Sequence, residues 1–209
     1  MTQGELPRLT LPVGERDHTQ GPATAPVTLV EYGDYECPYC RAAVPIVQEL
    51  QQLLGDRLRF VYRHFPLTNM HPRAQRAAEA AEGAAAQGRF WETHAYLFQH
   101  QEALDDEHLV QYAADLGLET ERLRRDLAAH TYAERVREDF RSGIASGAEG
   151  TPTFYLDGVR YDEPVGLRQL VAAIRRSHPE VVGEEADQVA QRQIPRVVWQ
   201  RSPRRPPAR

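Results

Sequence analysis

The chain has 209 residues, of which 41% are hydrophobic and 26% are charged, an ordinary composition for a globular protein of one large domain. Its 25 basic residues are all arginine, and 30 acidic residues outnumber them, which gives a net charge of −5. This balance excludes the basic surplus typical of nucleic-acid-binding proteins, and the lack of lysine excludes a lysine nucleophile or a phosphate-loop lysine.

The N-terminal part of the chain carries no targeting pattern. No apolar stretch approaches the ~20 residues that span a bilayer, and the first residues lack the apolar region and cleavage site of a secretory signal. We therefore expect no membrane span, no nucleic-acid partner and a cytoplasmic location. Residues 1–26 are polar and contain four prolines, which predicts an N-terminal arm before the folded core.

The core is predicted to begin with a strand followed by a helix. An apolar, β-branched run over residues 27–32 indicates a buried strand. Apolar residues then recur at helical spacing, which predicts a helix over residues 38–54. The only two cysteines, Cys37 and Cys40, stand where the strand passes into this helix.

The C-x-x-C spacing favours redox chemistry over a structural role. A disulfide across four residues would stabilise the fold by only about 2 kcal/mol, and structural zinc usually needs a second ligand pair, which is missing. The spacing of the histidines suggests no metal site, so we expect neither metal nor cofactor. Pro38 at the first helical position leaves Cys37 at the helix N-terminus, where unpaired N–H groups favour a thiolate. Cys37 is thus predicted to attack and Cys40 to resolve, with Asp34 and Glu36 partly opposing the thiolate.

The rest of the chain predicts an interrupted α/β domain. Alternation over residues 57–65 predicts a second strand, and residues 67–149 carry apolar stripes at helical spacing. Two short β-rich runs flank Asp157-Gly158, which predicts a hairpin, and a closing helix stops before Pro179. The order βαβ, helical insertion, ββα predicts an α/β fold with a mixed central sheet and helices on both faces.

Four segments follow from this order. They are an N-terminal arm (1–26), a discontinuous α/β domain (27–66 and 150–178), an all-helical insertion (67–149) and a charged, Pro/Arg-rich C-terminal tail (179–209). The tail is expected to be solvated rather than part of the core.

Two motifs together resemble a known family. Cys37-Pro38-Tyr39-Cys40 between a strand and a helix, with Thr151-Pro152 after Gly150 opening a later strand, resembles the DsbA-like thiol–disulfide oxidoreductases of the thioredoxin superfamily. The resemblance covers residues 17–178 and implies a thioredoxin-like fold. It also implies that Pro152 is cis, that Thr151 faces the substrate, and that Pro38 and Tyr39 contact it. Residues 17–40 are similar as well to thioredoxin-type domains fused to some bacterial sodium/proton antiporters.

The resemblance assigns further roles around the cysteines. Glu31 lies six residues before Cys37, where the family keeps a buried acid, which implies that Glu31 relays a proton to or from Cys40. Tyr39 stands where well-known periplasmic oxidants carry histidine. Because a phenol lacks the charge of an imidazolium, we expect a less extreme Cys37 pKa and a milder oxidant.

The sequence therefore predicts a thiol–disulfide oxidoreductase that exchanges disulfides with protein substrates through a mixed disulfide. Its partners would be protein thiols or disulfides, together with a redox partner protein or glutathione. Two alternatives stay open: a glutathione-linked transferase or isomerase of the same superfamily, and a redox-silent chaperone or binding module. The direction of electron transfer is open as well.

Overall fold

A computed structural model describes residues 6–183. Within this range, five strands form one sheet: β1 (His18–Gln20), β2 (Val27–Gly33), β3 (Leu58–His64), β4 (Thr153–Leu156) and β5 (Val159–Tyr161). The helices of the same range are α1 (Pro38–Leu54), α2 (Ala74–Ala85), α3 (Phe90–Gln99), α4 (Asp106–Asp115), α5 (Thr120–Ala128), α6 (Ala133–Ala145) and α7 (Leu167–Ser177). The predicted α/β class with an all-helical insertion is confirmed.

The sheet is mixed, as predicted, with the strand order β1-β3-β2-β4-β5. β2 and β3 are parallel and are joined through α1, whereas β4 pairs antiparallel with β2, and β5 with β4. In the β2–β3 register Gly33 lies opposite His64, and in the β2–β4 register Tyr32 lies opposite Thr153. The ends of β2 and β3 and the start of β4 therefore lie at the same end of the sheet, and α1 begins there after β2.

Both faces of the sheet are covered. Alternate residues of β2 point to opposite sides, so that Leu29 packs in the large core with α1, α3 and α7, and Val30 packs in a smaller core against α6. Because both faces are buried, six of the seven β2 residues are buried, which explains its nearly continuous apolar run.

Helix α1 follows its sequence signals closely. Pro38 occupies the first turn, and Gly55 follows the last residue with a positive φ of 53°. The buried face carries residues spaced by three or four positions: Cys40, Ala43, Ile46, Val47, Leu50 and Leu54. This face packs in the core, which fixes the position of the helix N-terminus at the end of β2.

The folded part extends beyond both predicted limits. Residues 1–26 were expected to form an arm, yet His18–Gln20 adds a strand to the edge of β3, and the buried Asp17 forms an ion pair with the fully buried Arg63 at 2.8 Å. Polar strand residues that pair at an edge give no apolar alternation to detect. At the other end, Val181 and Val182 of the predicted tail pack in the core, and residues 184–209 lie outside the described residues. None of the described helices is long and apolar enough to cross a membrane.

Candidate active site

The two cysteines lie at the start of α1 as free thiols. Cys37 is the N-cap residue, with an extended backbone, and Cys40 lies in the first turn. Cys40 has no exposed surface and Cys37 exposes 3%, whereas Pro38 and Tyr39 between them are exposed, Tyr39 by 46%. The surface at this point is therefore formed by the Pro-Tyr dipeptide, and Cys37 contributes only a small part of it.

A second loop reaches Cys37 from the other end of the chain. The Thr151–Pro152 peptide bond is cis, and both residues are buried. The Cys37 thiol donates a hydrogen bond to the backbone oxygen of Thr151, with a Sγ–O distance of 3.3 Å. The antiparallel pairing of β4 with β2 brings this loop to the cysteines across 114 residues of sequence.

The surroundings of Cys37 favour its thiolate. A hydrogen bond with the Cys40 side chain is the largest cause. Together with hydrogen bonds from the Thr151 side chain and from the backbone N–H groups of Tyr39 and Cys40, it lowers the pKa of Cys37 to about 6. Partial burial opposes this shift. The N-terminus of α1 thus favours the thiolate through the backbone N–H groups of Tyr39 and Cys40, because the first N–H groups of a helix have no partner within it.

Cys40 has the opposite environment. Complete burial, and then the hydrogen bond to Cys37 and the negative charge of Cys37, raise the pKa of Cys40 well above its usual value. The charge of Glu31 adds to this effect, while a hydrogen bond from the Asp34 backbone N–H to Sγ, at 3.4 Å, opposes it. The pair therefore consists of one thiol that ionises readily and one that stays protonated.

Glu31 is a buried acid on β2, with 4% of its surface exposed. Burial is the main cause that raises its pKa to about 8, and the negative charge of Cys37 is the second. Its carboxyl lines a small cavity of about 90 Å³ together with Gln48 and His94. Glu31 and Cys40 influence each other electrostatically, so a proton on one changes the affinity of the other for its proton.

Asp34 and Glu36 hold the active-site loop in place. The Asp34 carboxylate accepts hydrogen bonds from the backbone N–H of Glu36 and of Leu67 and from Nδ1 of His71, at 2.7–2.8 Å. Glu36 in turn accepts one from the backbone N–H of Arg73 at 2.7 Å. Neither carboxylate is among the groups that shift the Cys37 pKa most, contrary to the expectation from their proximity in sequence.

Gln101, which the sequence did not single out, also supports the loop. It follows α3 in the helical insertion, and its side-chain amide donates to the backbone oxygens of Tyr35 and Cys37 at 2.7 and 2.9 Å. A lone glutamine 64 residues from Cys37 carries no recognisable signal in a single sequence. The insertion therefore contributes directly to the position of the cysteine loop.

Comparisons with known proteins agree with this geometry. A family model for thioredoxin matches residues 14–176. The Na(+)/H(+) antiporter NhaA 3 of Salinispora tropica is 48% identical over 169 residues, which cover 79% of this chain and 26% of the antiporter. The chain thus spans about a quarter of the length of the curated relatives it matches.

Solved structures show the same architecture. A thioredoxin-like oxidoreductase from Silicibacter pomeroyi DSS-3 is 30% identical, with a TM-score of 0.70, over 79% of this chain and 94% of that one. The α-DsbA1 protein of Wolbachia pipientis has a TM-score of 0.70 over 83% of this chain and 96% of its own, at 18% identity. The second likeness concerns the fold alone.

Proposed function

This chain belongs to the thioredoxin family and has a DsbA-like fold, and from that premise we propose that it exchanges disulfides with protein substrates through Cys37 and Cys40. One observation carries the proposal. The Cys37 sulfur, with its pKa lowered to about 6, lies at a helix start 3.3 Å from the Thr151 backbone oxygen, beside a buried partner thiol. At pH 7 most Cys37 side chains are therefore thiolates, the form that attacks disulfides.

In the reductive direction, the Cys37 thiolate attacks one sulfur of a substrate disulfide. A Cys37–substrate disulfide forms, and the second substrate sulfur leaves as a thiolate that takes a proton from solvent. Cys40 then loses its proton and attacks the Cys37 sulfur, which releases the first substrate sulfur. The substrate gains two electrons, and the Cys37–Cys40 pair is oxidised. A redox partner protein or glutathione restores the dithiol, and oxidation of a substrate follows the same steps in reverse.

Glu31 supplies the base for the second step. Cys40 is protonated at neutral pH because its pKa is well above its usual value. When Cys37 enters the mixed disulfide it loses its charge, and that charge is one cause of the raised pKa of both Glu31 and Cys40. Both groups then ionise more easily. Glu31 first releases its own proton to solvent, and its carboxylate then takes the Cys40 proton as Cys40 attacks.

The substrate would lie across the dipeptide and the Thr151-Pro152 loop. Tyr39 offers a half-exposed aromatic ring, and the backbone of Thr151 lies next to the reacting sulfur. An extended substrate segment that pairs with this backbone would place its disulfide at Cys37.

The test compares single-cysteine variants in insulin reduction and in refolding of a scrambled disulfide protein. Cys37→Ser should abolish both activities, and Cys40→Ser should trap a mixed disulfide with the substrate, which non-reducing gels detect and reductant removes. Catalysis that survives in Cys37→Ser would refute the proposal. A glutathione-buffered titration then gives the direction: about −270 mV indicates a reductant and about −120 mV a strong oxidant.

A further inference from the structure

Away from the cysteines, three side chains from separate elements converge on one oxygen atom. Nε2 of His18 on β1 lies 2.9 Å from Oε1 of Glu82 on α2, and Nε2 of His64 at the end of β3 lies 3.0 Å from the same oxygen. The three ligand atoms lie within 4.8 Å of one another. Among residues 6–183, no other group of three or more His, Cys, Asp or Glu side chains is close enough to share a metal ion.

Two imidazole nitrogens and one carboxylate oxygen are a donor set that zinc and similar divalent transition metals prefer. With bonds of ~2.1 Å and tetrahedral angles, ligand atoms would be ~3.4 Å apart. The two nitrogen–oxygen distances would thus open by ~0.4–0.5 Å, a small rotation of the side chains, and a solvent molecule would complete the coordination.

The surroundings hold the rings in position. His18 stacks on Phe90 with 3.5 Å between ring centroids, and His64 packs edge-on against Phe90 and Tyr62. Nδ1 of His64 has no hydrogen-bond partner among the described residues, so nothing there fixes its tautomer. Nε2 can therefore offer a proton to Glu82 or a lone pair to a metal.

Charge and access also permit a cation. Nε of Arg135 lies 3.6 Å from the Glu82 oxygen, and Asp139 forms an ion pair with the same arginine, so the local charge is not positive. The His18 side chain keeps 16% of its surface exposed, whereas those of His64 and Glu82 are almost fully buried. The site thus opens to solvent at His18.

We propose that His18, His64 and Glu82 form a binding site for a single divalent transition metal of the zinc class. The spacing of the histidines gave no reason to expect one. Because its ligands come from β1, β3 and α2, a bound ion would tie the N-terminal strand to the helical insertion. The site is separate from the cysteine pair, and it does not depend on the proposed redox function.

The test uses the full chain with Cys37→Ser and Cys40→Ser, which removes both thiols as competing ligands. After treatment with a chelator, thermal unfolding is followed against Zn²⁺, and Co²⁺ replaces Zn²⁺ for visible spectroscopy. We expect binding of one ion per chain, a Tm rise of about 5–10 °C at 100 times the dissociation constant, and a Co²⁺ spectrum without thiolate bands.

The variants His18→Gln and Glu82→Gln should each abolish the metal-induced Tm rise, whatever their Tm without metal. His108→Gln is the matched control, because His108 is an exposed histidine of α4 that pairs with Asp105. It should keep the full rise. No response to Zn²⁺, or an equal response in His18→Gln, would show that the cluster is a hydrogen-bonded contact only and would overturn the proposal.

Discussion

Replacing Glu31 by glutamine should stabilise the reduced protein, and the gain should grow with pH. The pKa of Glu31 is raised from 4.5 in the unfolded chain to about 8 in the folded protein. Above pH 4.5 the folded protein therefore keeps a proton on Glu31 that the unfolded chain has lost, which is a penalty on the free energy of unfolding. This penalty is absent below pH 4.5, increases as the pH rises, and reaches its full size above pH 8. At pH 7 the 2.5 units above 4.5, at ~1.36 kcal/mol each, amount to about 3 kcal/mol.

The glutamine removes this penalty because its amide is neutral and has nearly the same shape. At ~2–4 °C per kcal/mol for a chain of this size, Glu31→Gln should raise Tm by roughly 6–12 °C at pH 7 but by only a few degrees at pH 5. Thermal unfolding of the reduced proteins at pH 5, 7 and 8 measures the difference. Glu49→Gln, a partly exposed acid on α1, is the matched control and should change Tm little at any pH.

The same variant should resolve its mixed disulfide more slowly, by up to about 10²-fold, because it lacks the base for Cys40. Rapid acid quenching followed by gel analysis measures that step. A Tm gain that is equal at pH 5 and pH 8 would refute the assignment of a buried, high-pKa carboxyl. Unchanged resolution would refute the relay separately from the stability argument.

Three further predictions concern two hydrogen-bond donors at the cysteine loop and one buried ion pair elsewhere in the fold. Thr151→Val removes the side-chain hydroxyl that donates to Cys37 and should raise the pKa of Cys37 from about 6 by about one pH unit. Ultraviolet absorbance of the thiolate measures this pKa, and an unchanged value would contradict the hydrogen bond from the Thr151 hydroxyl. Gln101→Ala leaves two backbone carbonyls of the active-site loop without their donor and should lower the free energy of unfolding in urea by about 1–2 kcal/mol. Arg63→Leu leaves the buried Asp17 without its partner and should lower it by about 3–5 kcal/mol, and a loss below 1 kcal/mol would contradict a buried ion pair.

Local patterns were sufficient for most of the fold. The buried strand, helix α1 with its proline start and glycine end, and the β4–β5 hairpin each carry their signal within a few consecutive residues. Such signals come from backbone preferences and from apolar spacing, which act over one or two turns. They also set the two cysteines at the start of a helix, and that placement is the origin of the redox hypothesis.

Tertiary structure decided which distant groups touch, although the family resemblance had already implied a Thr151-Pro152 loop facing the substrate and a buried Glu31. Strand pairing brings Thr151 to Cys37, and packing of the insertion brings Gln101 to the same loop. The contact of His18 with Glu82 and the depth at which Glu31 is buried arise in the same way. These arrangements depend on contacts between residues tens of positions apart. Polar residues have no periodic pattern in the sequence from which such a contact could be predicted. The sequence by itself therefore determined the type of chemistry, whereas the pKa values and partners of the reacting groups were decided by long-range packing.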